Sequence, residues 1–428
     1  MRKLFSWTIT LLIVALCFSA AYAEPSIEGI DAPSYILMDL KSGRVLCGKN
    51  EGERMYPAST TKIMTAIIAL ENGKLDQLMT ANEKNIDPGP GGMNVGIMAG
   101  EQLTMEALLH ALLMKSANES ANIIAENLCP TRQDFLDLMN KKAKELGAYN
   151  THFVTTNGMH DDDHYTTVHD MAKIAFYAMK LEKFREIVSK PKYDMESTNK
   201  HEKWDTFYTT NRLISMYSES DYFSSVLGIK TGYTSQAGNN LVSAAENDKG
   251  MQLMAVMFGV KNNVNASNVY IQSRRLLEYG FQNFSEAVIA NANEVVKTVA
   301  VEDAKDDAKL PLISESGLSA VMPSDNALWN LNIKQSFVSD SFKAPISKGE
   351  VLGHIEYEND GVSLGRVNII AANDVEKSFI AELKQSVYSF LGGTFKKIIL
   401  SIAGVIIFFI LLRIVLRRIS RAVNSRKI

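Results

Sequence analysis

The chain is 428 residues long, which exceeds one ordinary domain and predicts two or three. Apolar residues make up 46% and charged residues 22%, a balance that excludes a mainly disordered or collagen-like protein. The formal net charge of −3 gives no indication of nucleic-acid binding. From Lys396 to the end, however, there are eight Lys or Arg residues and no Asp or Glu. A basic tail behind an acidic body is typical of contact with a membrane surface.

Residues 1–23 have the pattern of a secretory signal peptide. Arg2 and Lys3 precede an apolar run over residues 4–18, and an Ala-x-Ala cleavage pattern follows at 21–23. A retained anchor helix is the alternative, but the run is short for a bilayer span. We therefore predict that the rest of the chain is exported.

The other end of the chain predicts a membrane anchor over residues 398–416. Its apolar run is just long enough for one tilted helix if the Arg413 side chain reaches the interface. The basic residues at 417–428 then predict a cytoplasmic tail, with everything before the anchor outside. A helix lying in the interface is the alternative, but this run is apolar on every face. An amphipathic linker helix is predicted at 376–397.

The region from 24 to 284 has strand patterns at its two ends and helical patterns between them. Alternating apolar residues predict strands at 34–40, 44–48, 225–230, 241–245 and 251–260. Helical periodicity predicts helices at 59–71, 104–115, 120–128, 132–146, 168–181 and 268–279. The Gly- and Pro-rich stretch at 87–100 predicts a loop. This order indicates an α+β domain whose terminal strands share one antiparallel sheet with helices packed on it.

Residues 285–375 predict a separate, small all-β domain. Its strand-like runs lie at 295–301, 317–322, 351–357 and 362–370, and Asn-Asp-Gly at 359–361 supplies a hairpin turn. Outside the signal peptide the chain has two cysteines, Cys47 and Cys129, and the sequence leaves open whether they pair. They lack the spacing of a zinc site.

The first chemical motif is Ser-x-x-Lys, formed by Ser59 and Lys62 at the start of a predicted helix. Three residues apart, the two side chains share one helix face, so the amine can reach the hydroxyl and deprotonate it. The positive end of the helix dipole favours a neutral lysine there. The alternative is that Ser59 only caps the helix. Equivalent spacings at 189–192 and 197–200 lack an apolar stripe behind them.

The second motif is Ser-Ala-Asn, with Ser116 and Asn118 between two apolar helical stretches. Such a junction can direct a hydroxyl and an amide into a cleft, although it can also be a plain turn. The similar triplets at 197–199 and 324–326 have no comparable context.

The third motif is Lys230-Thr231-Gly232 at the end of a predicted strand. A lysine and a hydroxyl on a strand edge, beside a glycine that allows close approach of the backbone, suit a substrate carboxylate. The similar triplet at 41–43 is better interpreted as a hairpin turn.

Each motif alone is weak evidence, but their order in an exported chain is specific. On these motifs the chain resembles the low-molecular-mass penicillin-binding proteins that act as D-alanyl-D-alanine carboxypeptidases. The resemblance covers roughly residues 30–285. It extends to the flanking residues at 57–62, 116–121, 157–164, 166, 170, 230–234 and 237–238. It implies a β-lactamase/transpeptidase-like fold. The tail departs from many members, which use an amphipathic anchor.

The resemblance also implies a role for each motif residue. Ser59 would be the nucleophile, Lys62 the general base and Ser116 the proton relay. Asn118 would hold the substrate amide, and Lys230, Thr231 and Gly232 would bind its terminal carboxylate. The backbone N–H groups of Ser59 and Tyr233 would form the oxyanion hole. Peptidoglycan stem peptides are the implied substrates and β-lactam antibiotics the covalent inhibitors, with no metal or cofactor required.

The sequence is less consistent with three other interpretations. His160, His164 and His169 with the acidic run at 161–163 resemble a metal cluster, but a capping box formed by Thr167 and Asp170 with a solvated acidic loop explains them better. A β-lactamase-like or esterase hydrolase is disfavoured because no Glu-x-x-Leu-Asn sequence is present. A non-catalytic envelope scaffold is disfavoured by the complete motif set.

Overall fold

The computed structural model describes residue 27 and residues 29–215, 221–261 and 268–424. The predicted signal peptide lies outside these residues. The chain divides into two compact units, of which the first ends at Ser285 and the second begins at Glu286.

The first unit combines strands and helices. Its described strands are, in chain order, β1 (Ser34–Asp39), β2 (Val45–Lys49), β3 (Leu78–Thr80), β4 (Gln102–Thr104), β5 (Lys192–Tyr193), β6 (Phe207–Tyr208), β7 (Val226–Thr234), β8 (Gly238–Glu246) and β9 (Gln252–Val260). Its described helices are α1 (Lys62–Asn72), α2 (Met105–Met114), α3 (Asn118–Leu128), α4 (Arg132–Glu145), α5 (Val168–Ala178), α6 (Glu182–Val188) and α7 (Asn268–Asn283).

The terminal strands form one antiparallel sheet in the order β2-β1-β9-β8-β7, which confirms the predicted α+β architecture. β1 is buried along its whole length because helices cover both faces of the sheet. Ile36 and Met38 belong to the core cluster that includes the helices α1–α6. The alternate residue Leu37 faces α7 at Gly280, where an added Cβ would lie 2.8 Å from it.

The local boundaries differ from the predictions where tertiary contacts decide them. The predicted helix at 59–71 begins as a 3₁₀ turn, Ala58–Thr61, and becomes α1 only at Lys62. β7 continues to Thr234, past the predicted end at 230, because its pairing with β8 runs on through Thr234 and Gly238. The short helix α6 and the two-stranded pairs β3–β4 and β5–β6 were not predicted.

The second unit is an all-β domain followed by helices. Its described strands are β10 (Phe284–Ala290), whose first two residues end the first unit, β11 (Val295–Glu302), β12 (Lys309–Ser314), β13 (Leu318–Pro323), β14 (Leu331–Phe337), β15 (Phe342–Lys343), β16 (Val351–Asn359) and β17 (Val362–Ala371). The six-stranded sheet has the order β14-β16-β17-β12-β11-β15. The predicted hairpin turn joins β16 to β17, with positive φ at Asp360 and Gly361. β12 and β14 were missed because Pro311 interrupts the first and polar residues dominate the second.

The predicted linker is divided into α8 (Phe379–Ser389) and a π-helical segment, Phe390–Phe395. The last helix, α9 (Lys396–Asn424), contains the predicted anchor. Its portion Lys396–Ile419 is long and apolar enough to cross a membrane. In the first unit, Cys47 and Cys129 are not joined by a disulfide.

Candidate active site

Ser59, Lys62 and Asn118 are brought together by hydrogen bonds, although Asn118 is 56 residues from Lys62 in the chain. Lys62 Nζ lies 2.9 Å from Ser59 Oγ and 2.7 Å from Asn118 Oδ1. Ser59, Asn118 and Tyr233 line a cleft of about 470 Å³. The three parts of the chain that carry the motifs therefore meet at one opening, although Ser116, Lys230 and Thr231 are not among the residues that line it.

Lys62 is 0% exposed and has three oxygen partners. Besides the Ser59 hydroxyl and the Asn118 side chain, the Asn157 carbonyl lies 2.6 Å from Nζ. Two of these partners are carbonyl oxygens, which can only accept, whereas a hydroxyl can donate. A neutral amine has two N–H bonds and one lone pair. An ammonium could donate to all three oxygens, so the geometry permits, but does not by itself require, a neutral lysine that accepts a hydrogen bond from Ser59.

The electrostatics favour the same protonation state. Burial lowers the pKa of Lys62 well below its usual value, and the nearby Lys230 lowers it further, while Glu119 opposes the shift. Lys230 is 1% exposed, and burial lowers its pKa to about 7. Neither ammonium has bulk water to solvate it, so both protons are held weakly.

Close packing of two glycines holds the Ser59 turn in place. Ala58 has φ +48°, a conformation that side-chain-bearing residues rarely adopt. A Cβ added at Gly158 would lie 1.9 Å from the Ala58 carbonyl oxygen, so only glycine fits against this turn. A Cβ at Gly232 would lie 3.1 Å from Ser59 N, which places strand β7 directly beside the backbone of Ser59. The Ser59 side chain is thus presented by packing and does not act as a side-chain helix cap.

The Ser-Ala-Asn motif forms the tight junction between α2 and α3. Ser116 is buried and has φ +60°, an unfavourable conformation that is typical of functional turns. Asn118 is the first residue of α3, two residues earlier than the predicted helix start. Its side-chain amide donates to the Pro88 carbonyl at 2.8 Å, and its backbone N–H donates to the Met93 carbonyl at 2.8 Å. The predicted loop at 87–100 therefore holds Asn118 toward Lys62.

The Lys-Thr-Gly motif lies within β7, which is an edge strand of its sheet in the described part of the chain. β8 pairs with one side of β7, so alternate backbone N–H groups on the other side are available to a ligand. The Thr231 hydroxyl lies 3.1 Å from that of Thr210. Tyr233 is 60% exposed at the cleft.

Four neighbours of the site were given no role by the sequence analysis: Glu119, Asn157, Gly158 and Thr210. Glu119, Asn157 and Gly158 had been noted only as part of the resemblance. The Asn157 carbonyl could not have been found, because a backbone group carries no sequence signal. Thr210 stands in a polar stretch, and no pattern there indicated its contact with Thr231.

The histidines at 160–169 have structural contacts. The His164 Nε2 atom lies 2.8 Å from Thr61 Oγ1, and burial lowers the pKa of His164 to about 3. The described residues contain no group of three His, Cys, Asp or Glu side chains arranged to hold a metal. Only half of the predicted capping box is present: Thr167 accepts from the Asp170 N–H, but the Asp170 carboxylate accepts from the Asn150 N–H.

The motif-like triplet at 41–43 and the other Ser-x-x-Lys spacings lie in a turn or at exposed positions. The triplet at 41–43 forms the β1–β2 turn, where Gly43 has φ +77°. Ser189 is exposed at the end of α6, and Ser197 and Lys200 are also exposed. Burial of the lysine therefore distinguishes Ser59 and Lys62 from the other pairs.

An α+β fold with a buried Ser–Lys pair, an Asn beside it and Lys-Thr-Gly on the edge strand defines the class of serine enzymes that bind penicillin. The sequence profile of the D-alanyl-D-alanine carboxypeptidase family matches residues 20–262, and that of the C-terminal domain of penicillin-binding protein 5 matches residues 284–377. The chain therefore belongs to the D-alanyl-D-alanine carboxypeptidase family of serine-type peptidases, which confirms the resemblance seen in its motifs. This family acts on peptidoglycan and binds β-lactams.

Curated relatives and solved structures of this family are similar to the chain over most of its length. The chain is 30% identical to D-alanyl-D-alanine carboxypeptidase DacF of Bacillus subtilis over 90% of its own length and 98% of the relative's. It is similar to penicillin binding protein 5 from Haemophilus influenzae, with a TM-score of 0.64, 26% identity and coverage of 81% and 98%. It is also similar to D-alanyl-D-alanine carboxypeptidase DacD from Francisella tularensis, with a TM-score of 0.61, 26% identity and coverage of 82% and 94%.

Proposed function

We propose that this enzyme removes the terminal D-alanine from the stem pentapeptides of peptidoglycan through an acyl-enzyme on Ser59. The observation that carries the proposal is the buried Lys62 amine, 2.9 Å from Ser59 Oγ and held there by two carbonyl oxygens. A lysine with a lowered pKa is a competent general base near neutral pH.

In the acylation step, Ser59 Oγ attacks the carbonyl carbon of the penultimate D-alanine while its proton passes to Lys62 Nζ. The oxyanion that forms accepts hydrogen bonds from the backbone N–H groups of Ser59 and Tyr233, each worth about 3–4 kcal/mol in the transition state. The close approach of Gly232 to Ser59 N supports this assignment. The peptide C–N bond then breaks, and the proton returns through Ser116 to the departing amine.

Substrate binding uses the remaining motif residues. Asn118 accepts or donates to the substrate amide, and Lys230 and Thr231, beside Gly232, bind the terminal carboxylate. A carboxylate at this point raises the proton affinity of Lys230 when the substrate enters. In deacylation, water attacks the ester carbonyl and gives one proton to Lys62; the C–O bond to Ser59 then breaks, and Lys62 returns that proton to Ser59 Oγ.

The same acyl-enzyme chemistry applies to β-lactams. Penicillin opens its ring on Ser59, and the predicted absence of a dedicated deacylating carboxylate leaves the adduct in place for minutes or longer. We further propose that a signal peptide exports the chain and that α9 anchors it. The catalytic unit then faces the extracytoplasmic side, where its substrate is located.

The test is release of D-alanine from a peptide ending in D-Ala-D-Ala, with Ser59→Ala as the inactive variant. Ser189→Ala is the matched control, because Ser189 has the same Ser-x-x-Lys spacing but is exposed. We expect release by the wild type and Ser189→Ala and none by Ser59→Ala.

Two outcomes would redirect the assignment. Uptake of labelled penicillin without D-alanine release would favour a transpeptidase or an esterase. Neither uptake nor release would favour a scaffold. A time course by mass spectrometry in which the penicilloyl adduct disappears within seconds would instead indicate a β-lactamase.

A further inference from the structure

Glu119 is a buried acid beside the site that the mechanism above does not use. It is the second residue of α3 and is 1% exposed. Its Oε1 atom accepts a hydrogen bond of 2.7 Å from the backbone N–H of Val95. Its Oε2 atom is also buried and has no hydrogen-bond partner among the described residues. Burial of a carboxylate in such a place is costly unless hydrogen bonds or an opposite charge compensate it.

The start of α3 holds the loop that forms one wall of the cleft. The backbone N–H of Asn118 donates to the Met93 carbonyl at 2.8 Å, and Asn122 Nδ2 donates to the Asp87 carbonyl at 3.2 Å. The bond of the Asn118 side chain to Pro88 and the Glu119 bond to Val95 add two further attachments. Since residues 90–93 of this loop line the cleft next to Ser59, the attachments determine the shape of that wall.

Glu119 also acts on the buried amine of Lys62. Its negative charge raises the pKa of Lys62, whereas burial and Lys230 lower it. His164 stays neutral, because burial lowers its pKa to about 3. The other groups facing the Lys62 amine are uncharged: Ser59, Asn118 and the Asn157 carbonyl. Among the described residues that act on Lys62, Glu119 is thus the one whose negative charge favours the protonated amine, while burial raises the pKa of Glu119 itself.

We propose that Glu119 is a positioning residue: it holds the loop at 93–97 on α3 and supplies the negative charge that stabilises Lys62 when that amine is protonated. This inference rests on the proposed role of Lys62 as the base. The consequence is that the charge of Glu119 helps to set the pH below which Lys62 is protonated and can no longer accept the proton of Ser59.

The test is the pH dependence of acylation of the full chain by a fluorescent penicillin. In Glu119→Gln the amide oxygen can still accept from Val95, so the loop attachment remains while the charge is lost. We expect the acidic limb of the acylation rate to move about 1 pH unit lower, because protonated Lys62 loses its stabilising anion. Glu119→Asp keeps the charge, and the acidic limb of its acylation rate should stay within about 0.3 pH unit of the wild-type limb even if the rate falls.

Glu126→Gln is the matched control on the same helix, since Glu126 pairs with Arg132 at the surface. The acidic limb of the acylation rate of Glu126→Gln should coincide with that of the wild type. Thermal unfolding verifies the fold of each variant, and Glu119→Met replaces Glu119→Gln if the latter does not fold. The inference is overturned if the limb of the neutral variant coincides with that of the wild type, or if Glu119→Asp shifts it equally. A wild type that takes up no penicillin at any pH would overturn the proposed function itself.

Discussion

Gly158 is the residue whose replacement tests most directly how the Ser59 turn is held. With φ +84°, Gly158→Ala places a residue in the left-handed region, at a cost of about 1–2 kcal/mol. The added Cβ would also lie 1.9 Å from Ala58 O and 3.0 Å from Ser59 N. Regaining an ordinary contact of about 3.4 Å requires the Ser59 turn to move by roughly 1 Å or more.

A displacement of that size at a reacting group lowers the rate by about 100-fold. We therefore expect Gly158→Ala to acylate with penicillin about 100-fold more slowly than the wild type and to unfold at a lower temperature. Gly250→Ala is the matched control: Gly250 has φ +79° in the β8–β9 turn, with nothing within 4 Å of an added Cβ. It should lose about 1–2 kcal/mol of stability and keep its acylation rate.

Stopped-flow fluorescence with a labelled penicillin gives the rates, and thermal unfolding at one pH gives the stabilities. The reasoning is refuted if Gly158→Ala acylates at the wild-type rate while losing no more stability than Gly250→Ala. That result would mean that the turn tolerates the added atom and that packing against Gly158 does not position Ser59.

Three further predictions concern buried charge and the anchor. The pKa of Lys230 is about 7 in the folded protein and near 10.5 in the unfolded chain, so the free energy of unfolding should rise with pH between these values. Lys230→Met should raise the melting temperature at pH 7 and slow acylation about 100-fold or more. The pKa of His164 is about 3 in the folded protein and 6.5 in the unfolded chain, so the free energy of unfolding should decrease as the pH falls from 6.5 to 3. In His164→Gln this decrease should be smaller than in the wild type, as measured by acid unfolding. A chain ending at residue 395 should leave the membrane pellet on alkaline extraction, whereas the full chain should remain; retention of both would contradict α9 as the anchor.

Much of the first unit could be predicted because its apolar residues repeat with the period of the element they form. α4 is an example, since its buried residues Phe135, Leu136, Met139 and Ala143 recur every three or four positions. The boundaries near the site could not be predicted in the same way. Lys62 begins α1, and Ser59 precedes it in a 3₁₀ turn, because Gly158 and Gly232 pack against that turn from distant parts of the chain.

The sequence by itself determined which chemical groups are present and in which order: a hydroxyl and an amine three residues apart, an amide after a second hydroxyl, and a lysine on a strand. Those identities were enough for the family and the class of reaction. Only the tertiary structure decided that Lys62 is buried away from solvent, that the Asn157 carbonyl is one of its hydrogen-bond partners, and that the charges of Glu119 and Lys230 change its pKa. The physical reason is that a pKa depends on solvent exclusion and on charges brought together by folding, and neither is a property of neighbouring residues in the chain.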